Sequence, residues 1–450
     1  MSPTLAERTK TKLLAGDFVA AEQDFYRQRQ QEATREFQEI LTETIESGEG
    51  RDIARSMKTQ RRYKTIRKKE IAITTMTGDR IVIPSWYALQ GGRKRGRKKK
   101  GPNGRGDHLL LRYWGFTDKH SPNYAGVIAR AGVASPSYEL AAADLKEHGI
   151  VVAPNSIRNV VEKTGSEAGA RRDMIALDPG ESFAGKRIIV AIDGGRVRMR
   201  EDKQGRLKKD QIIRGFSSPW REPKLLVIAE LDEEGKYRKG TKPLYEATLG
   251  DHEGIFRLLR GLAAHTDLKD AREVILSGDG ATWIWQEFQA FARELGIAHK
   301  VTEILDFYHA TEHLTAIGET DVSLSPRERQ TWCEELKKLL RAGRYEELKA
   351  NIETESQAKG LSKLMDLFQY FERNRERMRY DIYERDKQPI GSGIVESAIR
   401  RVINLKLKSP STFWRQDRLE HMLQLRCILM AGRWRIFTQN LVVAARLTLM

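Results

Sequence analysis

The sequence predicts an α/β protein whose mixed β-sheet is covered by helices on both faces, is interrupted by an all-helical insertion, and follows a helical amino-terminal region. Three observations lead to this prediction. From residue 183 onward, three strand patterns precede alternating helix and strand patterns. Residues 319–385 carry apolar side chains at helical spacing only. Residues 1–170 contain helical patterns and one hairpin pattern, and 450 residues suffice for two or three cores.

The balance of charges favours a polyanionic partner. The formal net charge is +17 and 40% of the residues are hydrophobic, so a packed core and a basic surface are both expected. Nucleic acid is the commoner polyanion, and no basic amphipathic helix or lipid signal points to a membrane surface. No apolar run reaches the ~18 residues of a membrane span, and the first residues lack the apolar segment of a signal peptide. We therefore expect a soluble, cytoplasmic protein.

Cysteine usage excludes two classes of small fold. Cys333 and Cys427 are the two cysteines of the chain. Two cysteines cannot build a disulfide framework or a cysteine-rich zinc ribbon.

The amino-terminal 120 residues are predicted to form a helical region (1–50) and a basic hairpin region (51–120). Residues 17–47 have apolar side chains at helical spacing, and Gly48 is expected to end this helix. Residues 51–112 contain 19 lysines and arginines but only 4 acids. Within them, a hairpin is expected to turn at Thr77, Gly78 and Asp79. A glycine- and lysine-rich mobile arm follows. Its candidate DNA-binding residues are Arg93, Lys94, Arg95, Arg97, Lys98, Lys99 and Lys100.

Residues 121–170 are predicted to form three short helices. The last two are expected to begin at capping residues Ser137 and Asn155 and to end at Gly149 and Gly165. This arrangement resembles a helix-turn-helix, with 155–164 as the recognition helix and Arg158 as a DNA contact. An ordinary helical hairpin explains the pattern equally well.

The first part of the sheet region, 183–318, alternates strands and helices. Strands are predicted at 186–193, at 196–201 as a return strand after a tight glycine turn, at 223–231, at 273–277 and at 300–305. Helices are predicted at 253–264 and 282–295. The helical insertion covers 319–385, and the sheet region resumes at 386–450 with a helix and basic carboxyl-terminal helices.

Three carboxylates stand at sharply defined places in these elements. Asp193 and Asp279 each end an apolar strand, and Glu396 opens a helix after a Gly-Ser-Gly turn. Taken singly, each has an ordinary structural explanation. Asp193 fits a hairpin turn, Asp279 fits a loop near a helix start, and Glu396 fits the first turn of a helix, where the helix dipole favours an acid. Together they are the oxygen ligands that hard divalent cations prefer.

The segments VAIDGGR, LSGDGATWIW, ILDFYHATEHL and GSGIVESAIRR resemble those of the ribonuclease H-like DDE transposases of bacterial insertion sequences. The likeness covers about 183–431, is strongest to ISKra-type elements and their relatives, and includes the Asp306-x-x-His309 pair of the subgroup with a long helical insertion. This resemblance implies a ribonuclease H-like sheet and DNA transposition, in the bacterial cytosol, by an oligomer that acts on element ends and target DNA.

The resemblance also implies roles for individual residues. Asp193, Asp279 and Glu396 would bind two Mg²⁺ or Mn²⁺ ions, and these ions would activate the attacking oxygen and stabilise the leaving one. Asp306 and His309 are expected to position the site rather than to ligate; capping and packing are their structural alternatives. Further DNA contacts are expected at Arg400, Arg401, Lys406 and Lys408, although a solvated basic helix face is equally consistent with these four residues. Of Trp283 and Trp285, at least one is expected to pack in the core.

Two other interpretations stay open. His309, Glu312 and His313 fit the H-x-x-E-H pattern of zinc peptidases, although such a short pattern often arises by chance. A DNA-binding regulator without catalysis is the third possibility, and the presence of all three acids argues against it.

Overall fold

A computed structural model describes residues 4–61, 63–90, 106–116, 118–170, 172, 174–203, 215–320, 323–360, 362–391, 393–409 and 412–447. The chain divides into two compact units. One comprises residues 1–164 and 437–450, and the other comprises residues 165–436. In the described part of the chain, no helix is long and apolar enough to cross a membrane.

The first unit combines helices with a three-stranded sheet. Its strands pair in the order β1-β2-β3. The elements are α1 Leu5–Leu14, α2 Phe18–Glu46, α3 Gly48–Gln60, β1 Tyr63–Thr74, β2 Arg80–Gln90, β3 Gly106–His108, α4 Leu109–Tyr113, α5 Pro122–Ala134, α6 Tyr138–Glu147 and α7 Pro154–Gly169, whose last turn belongs to the second unit.

The hairpin prediction is confirmed. β1 and β2 pair antiparallel from Thr74 opposite Arg80, and Gly78 adopts φ +85° in the turn. The Asp79 carboxylate accepts a 2.6 Å hydrogen bond from the Thr77 hydroxyl, which holds the turn. Alternate hairpin side chains pack on α2 and α4 in a core of isoleucines and leucines, namely Ile45, Ile71, Ile73, Ile81, Ile83, Leu110 and Leu111. The predicted arm residues 93–100 lie outside the described residues.

One of the helix ends predicted at a glycine is confirmed and another is wrong. The helix predicted over 17–47 is α2, which ends at Glu46 with Ser47 as its C-cap; Ser47 also caps α3, which begins at Gly48 and was not predicted. α7 begins at Pro154, before the predicted cap Asn155, and continues through Gly165. A Cβ on Gly165 would lie 2.5 Å from the Cβ of His421, so this glycine permits close packing inside a helix. The cap at Ser137 is confirmed.

The second unit is a mixed α/β structure built on a five-stranded sheet in the order β10-β9-β4-β11-β12. β9 runs antiparallel to both β4 and β10, whereas β4, β11 and β12 are parallel. The five strands are β4 Arg187–Gly194, β9 Lys224–Leu231, β10 Leu244–Thr248, β11 Glu273–Gly278 and β12 Val301–Leu305. Consecutive residues of β4 are buried, which shows that both faces of the sheet are covered.

Helices surround this sheet. α15 packs on β4 and β9, α17 packs on β10, and α9 packs on β11. The helices are α8 His252–His265, α9 Thr282–Glu294, α10 Phe307–Thr320, α11 Pro326–Arg341, α12 Tyr345–Lys359, α13 Ser362–Asn374, α14 Tyr380–Arg385, α15 Gly393–Ile399, α16 Leu405–Leu407, α17 Gln416–Met430 and α18 Trp434–Leu447, which continues into the first unit. The described part of 319–385 is helical, as predicted.

The predicted return strand at 196–201 is wrong. These residues continue outward from β4 as β5 (Val197–Arg198) and β6 (Glu201–Asp202). They pair with β8 (Trp220–Arg221) and β7 (Phe216–Ser217), which lead into β9. β9 is therefore the neighbour of β4, and the third antiparallel strand is β10, which was not predicted.

Candidate active site

Three aspartates stand in one row at the carboxyl edge of the three parallel strands. Ala191 of β4 lies opposite Ser277 of β11, and Ser277 lies opposite Ile304 of β12. Two residues further along each chain segment come Asp193, Asp279 and Asp306. The amide of Asp306 donates to the carbonyl of Gly278 at 2.9 Å, so the pairing persists to this point. Sequence reasoning treated Asp306 as peripheral, but the register makes it the third member of the row.

Each of these carboxylates is held by a backbone amide. Oδ1 of Asp193 accepts from the Gly194 amide at 2.6 Å, and Oδ1 of Asp279 accepts from the Ala281 amide at 2.9 Å. Oδ1 of Asp306 accepts from the Tyr308 amide at 2.8 Å and caps α10. Local turns therefore fix the orientation of all three side chains.

The row concentrates negative charge in a partly buried place. Burial raises the pKa of Asp193 to about 6, although its hydrogen bond from Gly194 opposes the shift. The carboxylates of Asp279 and Asp306 raise this pKa further, while His309 lowers it. Asp279, Asp306 and His309 thus all lie within electrostatic reach of Asp193, and the edge disfavours the ionised form of Asp193 unless a cation compensates.

The helical insertion holds the loop that carries Asp279. The hydroxyl of Tyr370, on α13, donates a 2.7 Å hydrogen bond to the carbonyl oxygen of Asp279. Gly280 has φ +94°, and a Cβ there would lie 2.7 Å from Cε2 and Oη of Tyr370. Sequence reasoning missed Tyr370, because an aromatic residue in an amphipathic helix is typical of core packing.

The same insertion contacts the end of β12. The buried hydroxyl of Tyr380 donates to the carbonyl of Leu305 at 3.0 Å, directly before Asp306. Burial raises the pKa of Tyr380 well above its ordinary value, so its hydroxyl stays protonated and donates. The insertion therefore contacts the chain next to two of the three aspartates.

The two histidines of the H-x-x-E-H pattern lie on one face of α10. Their ring centroids are 5.1 Å apart, but the His313 ring stacks on Tyr370 at 3.7 Å. Burial, followed by His309, lowers the pKa of His313. The Glu312 side chain is 77% exposed and lies 3.5 Å from Nδ1 of His309. This arrangement uses His313 for packing and does not favour the peptidase interpretation.

Glu396 lies on α15, whose buried side chains Ile394, Val395, Ala398 and Ile399 face the sheet. α15 packs on β4, the strand that leads to Asp193, and the Glu396 side chain is exposed. Among the residues that the structure describes, no group of three or more acids, histidines or cysteines is arranged to hold a metal ion. The donor chemistry still fits, because the aspartates of the row and Glu396 offer hard oxygen ligands.

The predicted DNA contacts after Glu396 separate into different environments. Arg400 and Lys408 are exposed. Arg401 donates a 2.7 Å hydrogen bond to the Tyr245 hydroxyl, and Lys406 is only 4% exposed. The chain forms a π-helical turn over Arg400–Asn404, which rotates the following residues relative to an α-helix. The expectation of a DNA contact at Lys406 is therefore corrected: the lysine faces the interior.

Other predicted residues are placed as follows. Arg158 of α7 is 40% exposed in its side chain and pairs with Glu162 at 3.9 Å. Trp285 is 4% exposed, which confirms that one of the two tryptophans packs in the core. Trp283 is half-buried, with its ring 6.5 Å from that of Phe256 and Nζ of Lys224 5.0 Å from its ring centroid.

A comparison with protein-family models finds no match to this chain, and neither does a comparison with curated protein sequences. Among solved structures, the chain is similar to one described as the Drosophila P element transposase strand transfer complex. The identity is 14%, the match covers 74% of this chain and 83% of that chain, and the TM-score is 0.28. At this TM-score, the likeness carries no weight in the functional argument.

Proposed function

We propose that this chain is a DDE-type transposase, with a ribonuclease H-like catalytic unit, that cleaves and joins DNA by metal-dependent phosphoryl transfer. The observation that carries the proposal is the row of Asp193, Asp279 and Asp306 at one edge of the sheet. A mixed sheet in the order β10-β9-β4-β11-β12, with β9 antiparallel to both of its neighbours, supports an α/β catalytic unit. The basic charge of the chain supports a nucleic-acid substrate.

In this proposal, Asp193, Asp279 and Glu396 bind two Mg²⁺ or Mn²⁺ ions, which would supply the charge that activates a water or 3′-hydroxyl and stabilises the leaving oxygen. Asp306 and His309 position the site. Asp306 does so by capping α10, which carries His309 next to the row. Tyr370 fixes the Asp279 loop, because its hydroxyl binds the backbone and leaves the carboxylate available for ligation.

The principal test replaces Asp279 by asparagine. The substrate is a labelled duplex from the DNA that flanks the gene, incubated with Mg²⁺ or Mn²⁺, with EDTA as the metal-free reference. Wild type should cleave this DNA with either metal, and Asp279→Asn should lose cleavage while still binding DNA. Asp270→Asn is the matched control, because Asp270 is exposed and precedes the opposite end of the same strand.

Each result of this test has a clear interpretation. Undiminished cleavage by Asp279→Asn overturns the site assignment. DNA binding without cleavage by wild type in any metal identifies a non-catalytic regulator. One tightly held zinc ion per chain, with no action on DNA, would revive the peptidase interpretation.

A further inference from the structure

A two-stranded β-arm extends from the sheet next to Asp193. In the arm, β5 pairs with β8 and β6 pairs with β7, in the same register as β4 and β9. Gly194 lies opposite Lys224, Val197 opposite Arg221, and Asp202 opposite Phe216. The arm thus begins at the carboxyl end of β4, only a few residues after Asp193.

One face of this arm alternates guanidinium groups and aromatic rings. The guanidinium of Arg198 lies 4.9 Å from the ring centroid of Trp220, its cross-strand neighbour. The guanidinium of Arg200 lies 4.4 Å from the ring of Phe216, and its Nε donates to the carboxylate of Asp202, the cross-strand partner of Phe216, at 2.9 Å. Trp220 is 52% exposed, so its ring is available to a further partner although Arg198 covers part of it.

The opposite side of the arm is anchored. Val197 and Met199 are buried, and Trp414 forms an isolated parallel β-bridge with Met199. The Trp414 amide donates to the Arg198 carbonyl at 3.0 Å, and the Arg200 amide donates to the Trp414 carbonyl at 2.7 Å. The face with the arginines and aromatic rings therefore belongs to an arm whose backbone is held in place. A preformed binding face loses less conformational entropy when a ligand binds.

We propose that this face, formed by Arg198, Arg200, Phe216 and Trp220, binds a nucleic-acid strand next to the aspartate row. An unpaired base stacks on Trp220, and a neighbouring phosphate contacts Arg198, which is exposed on the same face. This inference rests on the proposed function and names a binding surface for its substrate.

The chemistry of the face selects this ligand. Every base has a π-face that stacks on an exposed indole, and stacking does not require a particular sequence. Planar guanidinium groups suit phosphates and bases alike. The position of the arm adds a geometric reason, because the arm begins within a few residues of Asp193.

The experiment compares the binding of two labelled DNAs by fluorescence anisotropy. One is a blunt duplex and the other is the same duplex with a single-stranded tail. Wild type should bind the tailed DNA more tightly. Trp220→Ala should weaken binding to the tailed DNA by about tenfold, with little effect on the blunt duplex. Trp220→Phe retains an aromatic face and should recover most of this affinity.

A salt titration tests the arginine. Arg198→Ala should reduce the slope of log affinity against log salt concentration by about one phosphate contact. Arg293→Ala is the matched control, since Arg293 is an exposed arginine on α9, outside the arm, and should leave both DNAs bound as by wild type.

The outcomes separate the two proposals. If Trp220→Ala and Arg198→Ala bind both DNAs as wild type does, the arm is not the binding surface, whatever the cleavage test shows. If these variants lose affinity but wild type never cleaves DNA, the arm inference stands and the proposed activity fails. If wild type binds neither DNA, both proposals are overturned.

Discussion

The hydroxyl of Tyr370 donates a 2.7 Å hydrogen bond to the carbonyl oxygen of Asp279, joining the helical insertion to the loop that carries a candidate catalytic acid. Burial raises the pKa of Tyr370, and the carboxylates of Asp279 and Asp306 raise it further, so the phenol remains a hydrogen-bond donor at neutral pH. The helical insertion therefore supports the candidate active site, although it contributes no strand to the sheet.

Removal of this hydroxyl should impair activity more than stability. We expect Tyr370→Phe to lower the free energy of unfolding by about 1 kcal/mol, the usual value of one hydrogen bond. Cleavage should fall about tenfold in kcat with little change in KM, since a misplaced carboxylate affects the chemical step. Cleavage kinetics and thermal unfolding measure the two effects.

The matched control for this prediction is Tyr383→Phe. Tyr383 also donates to carbonyl oxygens, those of Glu303 and Glu376, but away from the aspartate row. It should lose similar stability and retain kcat. Equal losses of activity in the two variants would show that Tyr370 acts only on stability.

Ionisation of Asp193 should reduce stability. Its pKa in the folded protein is about 6 against an ordinary value of 3.8, so the folded state binds this proton more tightly than the unfolded state does. The free energy of unfolding is therefore expected to fall as pH rises from about 4 to about 6, and to stay reduced above that window. In EDTA at pH 8, Asp193→Asn should thus melt at a higher temperature than wild type.

The advantage of Asp193→Asn should disappear as pH falls towards 4, because the wild-type carboxyl is then protonated. Mg²⁺ at pH 8 should raise the melting temperature of wild type and have little effect on Asp193→Asn, which has lost a ligand charge. A variant less stable than wild type at pH 8 would contradict the electrostatic argument.

The largest stability effect is expected at Arg433. This residue is fully buried, and its two terminal nitrogens each lie 2.6 Å from an oxygen of Glu181. It also donates to the carbonyl oxygens of Pro243 and Ala176. Arg433→Ala leaves the Glu181 charge and these carbonyls without their partner, so unfolding free energy should fall by about 3–5 kcal/mol.

Chemical denaturation measures this loss, and Arg293→Ala serves again as the control, with an expected change within about 0.5 kcal/mol. A double variant that replaces both Arg433 and Glu181 by apolar residues should recover part of the stability. A loss below about 1 kcal/mol in Arg433→Ala would show that solvent compensates the exposed partners.

The strands and the acids at their ends were predictable because both depend on local pattern. The apolar runs that became β4, β11 and β12 place Asp193, Asp279 and Asp306 at strand ends without knowledge of any contact. Which strands pair with one another was harder to predict from the sequence. The alternation in 196–201 identifies an extended segment, but only its ladder with 216–221 shows that it leaves the sheet. Gly165 shows the same limit, because a packing glycine and a terminating glycine look alike until His421 is placed beside it.

The third metal ligand is the part of the site on which sequence and geometry differ. The sequence resemblance implies Glu396, whereas the strand register aligns Asp306 with Asp193 and Asp279. Asp306 already accepts from the amides of Tyr308 and His309 as a helix cap, which favours a positioning role. Glu396 is exposed on a helix packed against β4, which leaves its carboxylate available to a cation.

The two acids should therefore respond differently to amide substitution. Asp306→Asn is expected to lower cleavage by about 10–100-fold, the usual effect of losing a group that orients a ligand, and Mn²⁺ should restore part of the activity. Glu396→Gln should lose more than this and should not recover with Mn²⁺, because a direct ligand has been removed. Glu335→Gln, an exposed acid on α11, should behave as wild type. The reverse order, with Glu396→Gln active and Asp306→Asn inactive, would make the three aspartates of the sheet edge the metal ligands.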